Sequence, residues 1–146
     1  MTNPRSGHEV TILSASECWE MLESATLGRL VTSVDGKPEI FPVNYVTQGR
    51  TILFLTAEGT KLVSTAINHQ VLFEVDDHNA ASGWSVIVKG VARSLHNDED
   101  IEKAERAQLL SWISTEKSHY VRVLPETVTG RLFQFGSPPM ESALHL

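Results

Sequence analysis

The dipeptide Asp35-Gly36 constrains the fold of this chain more than any other feature of its sequence. Asp-Gly favours the two-residue turn of a β-hairpin, and here it lies between RLVTSV and KPEIFPVNYV, two stretches with the composition of strands. A second turn, predicted at Gln48-Gly49, leads into TILFLT. Two hairpins in succession predict an antiparallel meander.

Pro42 lies inside the second of these strands, where its missing amide hydrogen cannot join a ladder. The strand is therefore expected at a sheet edge, or bulged or opened at this point. An opened backbone would leave neighbouring amides free for a ligand. A proline at a simple barrel corner is the alternative interpretation.

Three helices are predicted beside the strands. Ser14 or Ser16 can cap the first helix, and Glu17 stands three residues after Ser14, as a capping box requires. A short second helix is predicted over residues 58–68. The third helix is acidic, DEDIEKAERAQLLSW, and begins after Asn97.

Further extended stretches complete the predicted set of strands: QVLFEVDD, WSVIVKGVARSLH, YVRVLP and VTGRLFQF. Gly90, in the middle of the second stretch, indicates a bend or bulge of the kind that turns a barrel corner. Six or seven strands with short links predict an α+β fold on a closed or partly closed antiparallel barrel. Residues 13–136 are expected to form this domain, between a flexible lead-in at 1–12 and a tail at 137–146.

The charge balance excludes several classes of partner. The 146 residues contain 12 Lys and Arg against 18 Asp and Glu, a formal charge of −6. Nucleic acids and anionic membranes need a concentrated basic surface, which the scattered basic residues do not provide. Cys18, the single cysteine, excludes an internal disulfide, and the scattered histidines predict no metal site. No apolar run approaches the ~20 residues that span a bilayer, so a soluble, cytoplasmic protein is expected.

A cluster of Thr, Gly and Lys residues follows TILFLT and opens the second predicted helix. Its members are Thr56, Gly59, Thr60 and Lys61. Glycine relaxes the backbone, and hydroxyls, an ammonium group and exposed helix amides are the groups that hold a phosphate. Ordinary helix capping gives the same spacing, so the local pattern leaves both interpretations open.

The order of the segments resembles a known superfamily. GRLVTSVDGKPEIFPVNYV is followed by LFLTAEGTKL, FEVDD and GWSVIVKGVARSL, then by a helix with a Trp and by YVRVLPETVTGRLFQF. Over about residues 13–135 this succession is similar to the pyridoxamine 5′-phosphate oxidase-like flavin-binding split barrels. It resembles most their actinobacterial flavin/deazaflavin oxidoreductase branch.

The resemblance implies a six- to seven-stranded antiparallel split β-barrel with short inserted helices. It also implies a homodimer with the flavin sites at the subunit interface. The flavin ring would lie along the backbone of Phe41, Pro42, Val43 and Asn44. The phosphate would be held by Thr56, Gly59, Thr60 and Lys61. The site would be closed, from the same or the other subunit, by Trp84, Ser85 and Val86.

The resemblance further implies an oxidoreductase that uses FMN on a small organic substrate. Vitamin B6 oxidation itself is not expected, because the substrate-binding His and Arg residues of the true oxidase have no match in RLFQFGSPP. The alternatives are a reductase that depends on the deazaflavin F420, and a flavin- or haem-binding module without turnover.

Overall fold

An antiparallel sheet accounts for most of the described chain. The computed structural model describes residues 9–57, 66–107 and 118–136, and within these ranges it contains eight strands and two helices. In chain order the elements are β1 (Glu9–Ile12), α1 (Ala15–Glu23), β2 (Leu27–Val34), β3 (Lys37–Asn44), β4 (Val46–Gln48), β5 (Thr51–Ala57), β6 (Gln70–His78), β7 (Ser82–Ser94), α2 (Asp98–Glu105) and β8 (Ser118–Gln134).

The strands follow one another across the sheet in the order β3, β2, β6, β7, β8, β5 and β4, and β1 also pairs with β8. The two end strands, β3 and β4, are separated in sequence by Tyr45 alone. The ends of the sheet therefore meet, and the sheet curls into a half-barrel, as the split-barrel prediction requires. The predicted meander is wrong, because β5 pairs with β4 and β8 and not with β3.

Tyr45 holds the corner at which the ends of the sheet meet. Its side chain is only 1% exposed, and its ring packs edge-to-face on Phe73 with the ring centroids 5.1 Å apart. The Tyr45 hydroxyl donates to the carbonyl oxygen of Leu22 at 2.6 Å, and its backbone N–H donates to that of Thr26 at 2.9 Å. Ring packing thus holds the corner against the core, and hydrogen bonds hold it to α1 and to the segment that follows α1.

The inner side of the sheet forms one apolar core. Alternate residues of β2, β6 and β7 point into it, and Leu30, Phe73 and Val86 are among those with no exposed surface. The helix α1 packs against the same core and buries Cys18 and Trp19. Cys18 is therefore a packing residue of the core.

Local turn and cap signals are largely confirmed. Ser14 and Glu17 form the reciprocal hydrogen bonds of a capping box at the start of α1. Asp35–Gly36 forms the first hairpin turn, with φ angles of 53° and 73°. The second turn lies one residue later than predicted, at Gly49–Arg50, where φ is 57° and 55°.

Gly90 marks a bulge between β7 and β8, as predicted. The register of the two strands shifts between Lys89 and Gly90. A Cβ atom at Gly90 would overlap the carbonyl oxygen of Leu124. The close approach of the two backbones therefore requires glycine at this position.

Some segments differ from their predicted extent. Residues 9–12, assigned to the lead-in, form β1 beside the C-terminal end of β8. The stretches YVRVLP and VTGRLFQF are parts of one strand, the 17-residue β8. Most of the helix predicted over residues 58–68 and the whole tail at 137–146 lie outside the described residues.

Substituting Tyr45 by Phe tests the corner. The variant keeps the ring contact and loses the hydrogen bond to the Leu22 carbonyl oxygen, so we expect the free energy of unfolding to fall by about 1–3 kcal/mol. Urea unfolding followed by tryptophan fluorescence measures the change. Tyr120→Phe, which removes a hydroxyl from a partly exposed ring, is the matched control. If both substitutions lowered the free energy of unfolding equally, the stabilising role of the Tyr45 hydroxyl at the corner would be contradicted.

Candidate functional site

The side of the sheet away from the core, which we call the outer face, combines polar and apolar side chains from four neighbouring strands. They are Ile40, Pro42 and Asn44 of β3, Arg29 and Val31 of β2, Leu72, Glu74 and Asp76 of β6, and Ser85 and Ile87 of β7. The strand register places Arg29 between Pro42 and Glu74. Three predicted site residues, Pro42, Asn44 and Ser85, thus share this face.

The other described residues of the two predicted strand segments point inward. Val43 and Val86 are buried in the core, and Phe41 and Trp84 pack against it. Because side chains alternate along a strand, these four residues can offer only their backbone to a ligand on the outer face. Trp84 in particular packs as a core residue.

The strand β3 is an edge strand, which explains Pro42. The bond from Tyr45 N–H to the Thr26 carbonyl oxygen makes these two residues a hydrogen-bonded pair of the ladder. Such pairs alternate with non-hydrogen-bonded pairs in antiparallel strands. Every second residue from Asn44 backwards, including Pro42 and Pro38, therefore turns its backbone groups away from β2. Pro42 costs the sheet no hydrogen bond, and the edge prediction is confirmed.

Asn44 carries a buried acceptor beside this free edge. Its Nδ2 donates to the Thr26 carbonyl oxygen at 3.3 Å. Its Oδ1 is buried and has no hydrogen-bond partner among the described residues. Leaving a buried acceptor unpaired costs about 1–3 kcal/mol. Together with the backbone N–H of Asn44, which also points away from β2, Oδ1 forms a donor and acceptor pair suited to an amide-like group.

The predicted phosphate corner is only partly described. Thr56 lies at the C-terminal end of β5, opposite His119 of β8, and its side chain is 1% exposed. Gly59, Thr60 and Lys61 lie outside the described residues. Their role in holding a phosphate stays a prediction.

An ion cluster on the outer face was not predicted from the sequence. Arg29 Nη1 lies 2.6 Å from Glu74 Oε1 and 3.1 Å from Asp76 Oδ2. The two carboxylates stand two residues apart on β6 and therefore on the same face. The sequence signal was the alternation in FEVDD, but the arginine comes 45 residues earlier and is brought close only by the pairing of β2 with β6.

The pKa of Glu74 is raised to about 7. Burial of the carboxyl group is the largest cause, and the hydrogen bond and negative charge of Asp76 add to it. The Arg29 guanidinium opposes the shift without cancelling it. With Arg29 charged, the cluster is therefore neutral below about pH 7 and carries one negative charge above it.

Two concavities share Ile87 of the outer face, and the larger of them includes this cluster. The larger, of about 460 Å³, is lined by Arg29, Val31, Ile40, Leu72, Glu74, Asp76 and Ile87. The smaller, of about 300 Å³, is lined by Ile12, Ser85, Ile87, Thr129, Gly130 and Arg131. Both lie within the range of small-molecule sites.

The acidic residues at the end of β6 contribute only in part to capping the turn that follows this strand. Asp76 pairs with Arg29, whereas Asp77 accepts a hydrogen bond from the N–H of His78. The turn itself is capped by Asn79, whose Oδ1 accepts from the N–H groups of Ala81 and Ser82. Within the three described ranges, no group of three acidic, His or Cys side chains could hold a metal ion.

Comparison with known proteins gives consistent similarities. Residues 14–132 match the family model described as pyridoxamine 5′-phosphate oxidase. A FAD-binding protein from Mycobacterium smegmatis of known structure is 60% identical, with a TM-score of 0.78 and a match that covers 84% of this chain and 99% of that one. A FAD-binding protein from Mesorhizobium loti of known structure is 26% identical, with a TM-score of 0.72. That match covers 86% of this chain and 98% of the M. loti chain.

An uncharacterized Mycobacterium tuberculosis protein, Rv3129, is 56% identical over 97 residues, which cover 66% of this chain and 88% of that protein. The described part of the chain contains no helix long and apolar enough to cross a membrane.

Glu74 makes the stability of the protein depend on pH. Folding raises the pKa of this carboxyl group from 4.5 to about 7. The folded state therefore keeps a proton that the unfolded state releases, and the contribution of Glu74 to stability falls as the pH rises between these values. We expect the loss of thermal stability between about pH 5 and about pH 8 to be smaller in Glu74→Gln than in the wild type. Asp35→Asn is the control, and calorimetry at both pH values measures the difference. An identical pH dependence in all three proteins would contradict the assignment.

Proposed function

The chain belongs to the pyridoxamine 5′-phosphate oxidase family, and on that premise we propose that it binds a flavin along β3 and uses it to oxidise or reduce a small organic molecule. The family match spans residues 14–132, which include β3 and the whole outer face. Oxidation of pyridoxamine phosphate itself is not proposed, because the C-terminal segment RLFQFGSPP has no match to the substrate-binding residues of that enzyme.

The unpaired Oδ1 of Asn44 is the observation that carries this proposal. The pyrimidine edge of an isoalloxazine ring presents an N–H group between two carbonyl oxygens. Asn44 Oδ1 would accept from that N–H, and the outward backbone N–H of Asn44 would donate to a neighbouring carbonyl. A bound flavin would thus satisfy a buried acceptor that the described residues leave unpaired.

The chemistry of the reaction belongs to the flavin, which supplies hydride or electron transfer when bound. The protein positions the ring. The strand β3 offers a backbone edge with which no other described strand pairs, and Tyr45 and Phe73 pack at the adjoining corner with their ring centroids 5.1 Å apart. Asn44 fixes the orientation of the ring in the plane, since the hydrogen bond from its Nδ2 to Thr26 holds the amide in one orientation.

The relatives bear on which form of the flavin we propose. FMN was predicted from the sequence, but the 60% identical protein from M. smegmatis and the M. loti protein are FAD-binding proteins. This similarity favours FAD. In either form the phosphate nearest the ring would be held by Thr56, Gly59, Thr60 and Lys61. The deazaflavin F420 shares the pyrimidine edge and is the competing cofactor.

We further propose a homodimer, in which β1, β7 and β8 of one copy cover the β3 edge of the other. Val10 and Ile12 of β1 are 55% and 70% exposed, which is unusual for aliphatic side chains. Ile12 shares the smaller concavity with Ser85. Such an arrangement would bring Ser85 toward the flavin of the neighbouring copy.

Spectroscopy and titration test the cofactor. The purified protein is expected to show oxidised-flavin absorbance or, once freed of ligand, to bind FAD with quenching of its tryptophan fluorescence. FMN and F420 are titrated in parallel. We expect Asn44→Ala and Lys61→Ala each to weaken flavin affinity by about tenfold, the loss of one hydrogen bond to a buried or charged group. Ser33→Ala, at an exposed position of β2 beside the Asp35–Gly36 turn, is the control.

Three outcomes would contradict the cofactor proposal or the position that it gives to the ring. A colourless protein that binds none of the three cofactors would exclude the flavin function. A Soret band would indicate haem instead. Unchanged affinity in Asn44→Ala, with binding intact in the wild type, would mean that the ring lies elsewhere.

Light scattering tests the dimer. The wild type is expected to have twice the mass of the chain, and Ile12→Ser to have the mass of one chain, because the substitution removes an exposed apolar contact. A monomeric wild type, or a dimer unaffected by Ile12→Ser, would refute the arrangement.

A further inference from the structure

The larger concavity on the outer face has features that the proposed flavin edge does not use. Its walls are aliphatic, and two of them are open to solvent: Ile40 is 61% exposed and Ile87 is 37% exposed. One side of the concavity is formed by the carboxylates of Glu74 and Asp76 with Arg29 between them. A volume of about 460 Å³ admits a small organic molecule.

Among the residues that line the concavity, the charges do not balance above pH 7. A single nitrogen of Arg29, Nη1, contacts both carboxylates. From β7, Glu74 faces uncharged Ile87, and the next outward residue on that strand is Lys89, which pairs with Leu72 one step along the ladder. From β3, the register brings Pro42 next to Arg29 and no charged group. The cluster therefore has one negative charge more than its arginine neutralises.

From this geometry we propose that the concavity binds the positively charged end of an apolar organic molecule, an alkyl- or arylammonium or a guanidinium compound. The cation would donate hydrogen bonds to the carboxylate oxygens that Arg29 leaves free, and the apolar part would cover Val31, Ile40 and Ile87. A carboxylate ligand would meet two like charges at the same place. A neutral ligand would bury charged groups without pairing them.

The position of the concavity connects it to the proposed reaction. Arg29 is the cross-strand partner of Pro42, so a molecule held by Glu74 and Asp76 would lie beside the strand proposed to hold the flavin. As a statement about the substrate, the inference rests on the proposed flavin function. As a binding site it needs only the residues of one chain.

The test uses three probes of equal chain length on the flavin-free protein: hexylammonium, hexanoate and hexanol. Backbone amide chemical shifts, followed by NMR, report both the affinity and the place of binding. We expect hexylammonium to bind most tightly at about pH 8 and to shift the amides of Val31, Leu72 and Ile87. Its affinity is expected to fall as the pH drops below about 7, because Glu74 then takes up a proton.

Variants separate the contribution of charge to hexylammonium affinity from the contribution of apolar contact. Glu74→Gln is expected to lower hexylammonium affinity at about pH 8 by about tenfold and to abolish the change across neutral pH. Asp35→Asn removes one negative charge from the distant hairpin turn and is expected to leave the affinity unchanged. Ile40→Ser, at an exposed position that the fold does not depend on, is expected to weaken binding by about threefold through loss of apolar contact.

Three results would overturn the inference: hexanoate or hexanol binding as tightly as hexylammonium, shifts confined to other parts of the chain, or equal affinities in Glu74→Gln and Asp35→Asn. Because these measurements are made without flavin, they are independent of the cofactor titration. Flavin binding without cation binding would refute this inference alone. Cation binding without flavin binding would refute the proposed function and leave the site.

Discussion

The carbonyl oxygen of Thr26 determines how this sheet ends. It accepts hydrogen bonds from the backbone N–H of Tyr45 and from Nδ2 of Asn44. The first bond continues the β2–β3 ladder to Tyr45, the residue at which the chain passes from β3 into β4 and the two ends of one continuous sheet become neighbours. The second bond fixes the Asn44 amide so that its oxygen is left without a partner among the residues that the structure describes. The interaction that closes the half-barrel therefore also orients the acceptor on which the proposed cofactor site depends.

The sequence predicted what short-range geometry determines. Asp35–Gly36 allows positive φ at both turn positions, Ser14 and Glu17 complete a cap within one helical turn, and Gly90 marks a bulge. Pro42 could be assigned to an edge because proline lacks an amide hydrogen. Each of these inferences needs only neighbours within a few residues. The resemblance added the split-barrel architecture, which no single motif contained.

The features that were missed depend on contacts between distant parts of the chain. The separation of β3 from β4 at Tyr45 leaves little local signal, since KPEIFPVNYV reads as one strand. The strand β1 has only four residues, and its pairing partner is β8, at the other end of the described chain. The pairing of Arg29 with Glu74 requires β2 and β6 to be adjacent. Pairing of strands far apart in sequence supplied this information, and composition could not.

The prolines of β3 affect how readily the free chain can aggregate through its exposed strand edge in a crowded solution. Pro38 and Pro42 occupy positions whose backbone points away from β2, so this edge lacks every second donor that an incoming strand would need. Exposed edges are templates on which other chains can add strands and begin to aggregate, and proline is one of the residues that prevents this. The edge strand can thus remain open to a small planar ligand while being a poor template for polymerisation. Pro38 and Pro42 thus leave β3 accessible to a ligand and, at the same time, keep the backbone of another chain from pairing with it.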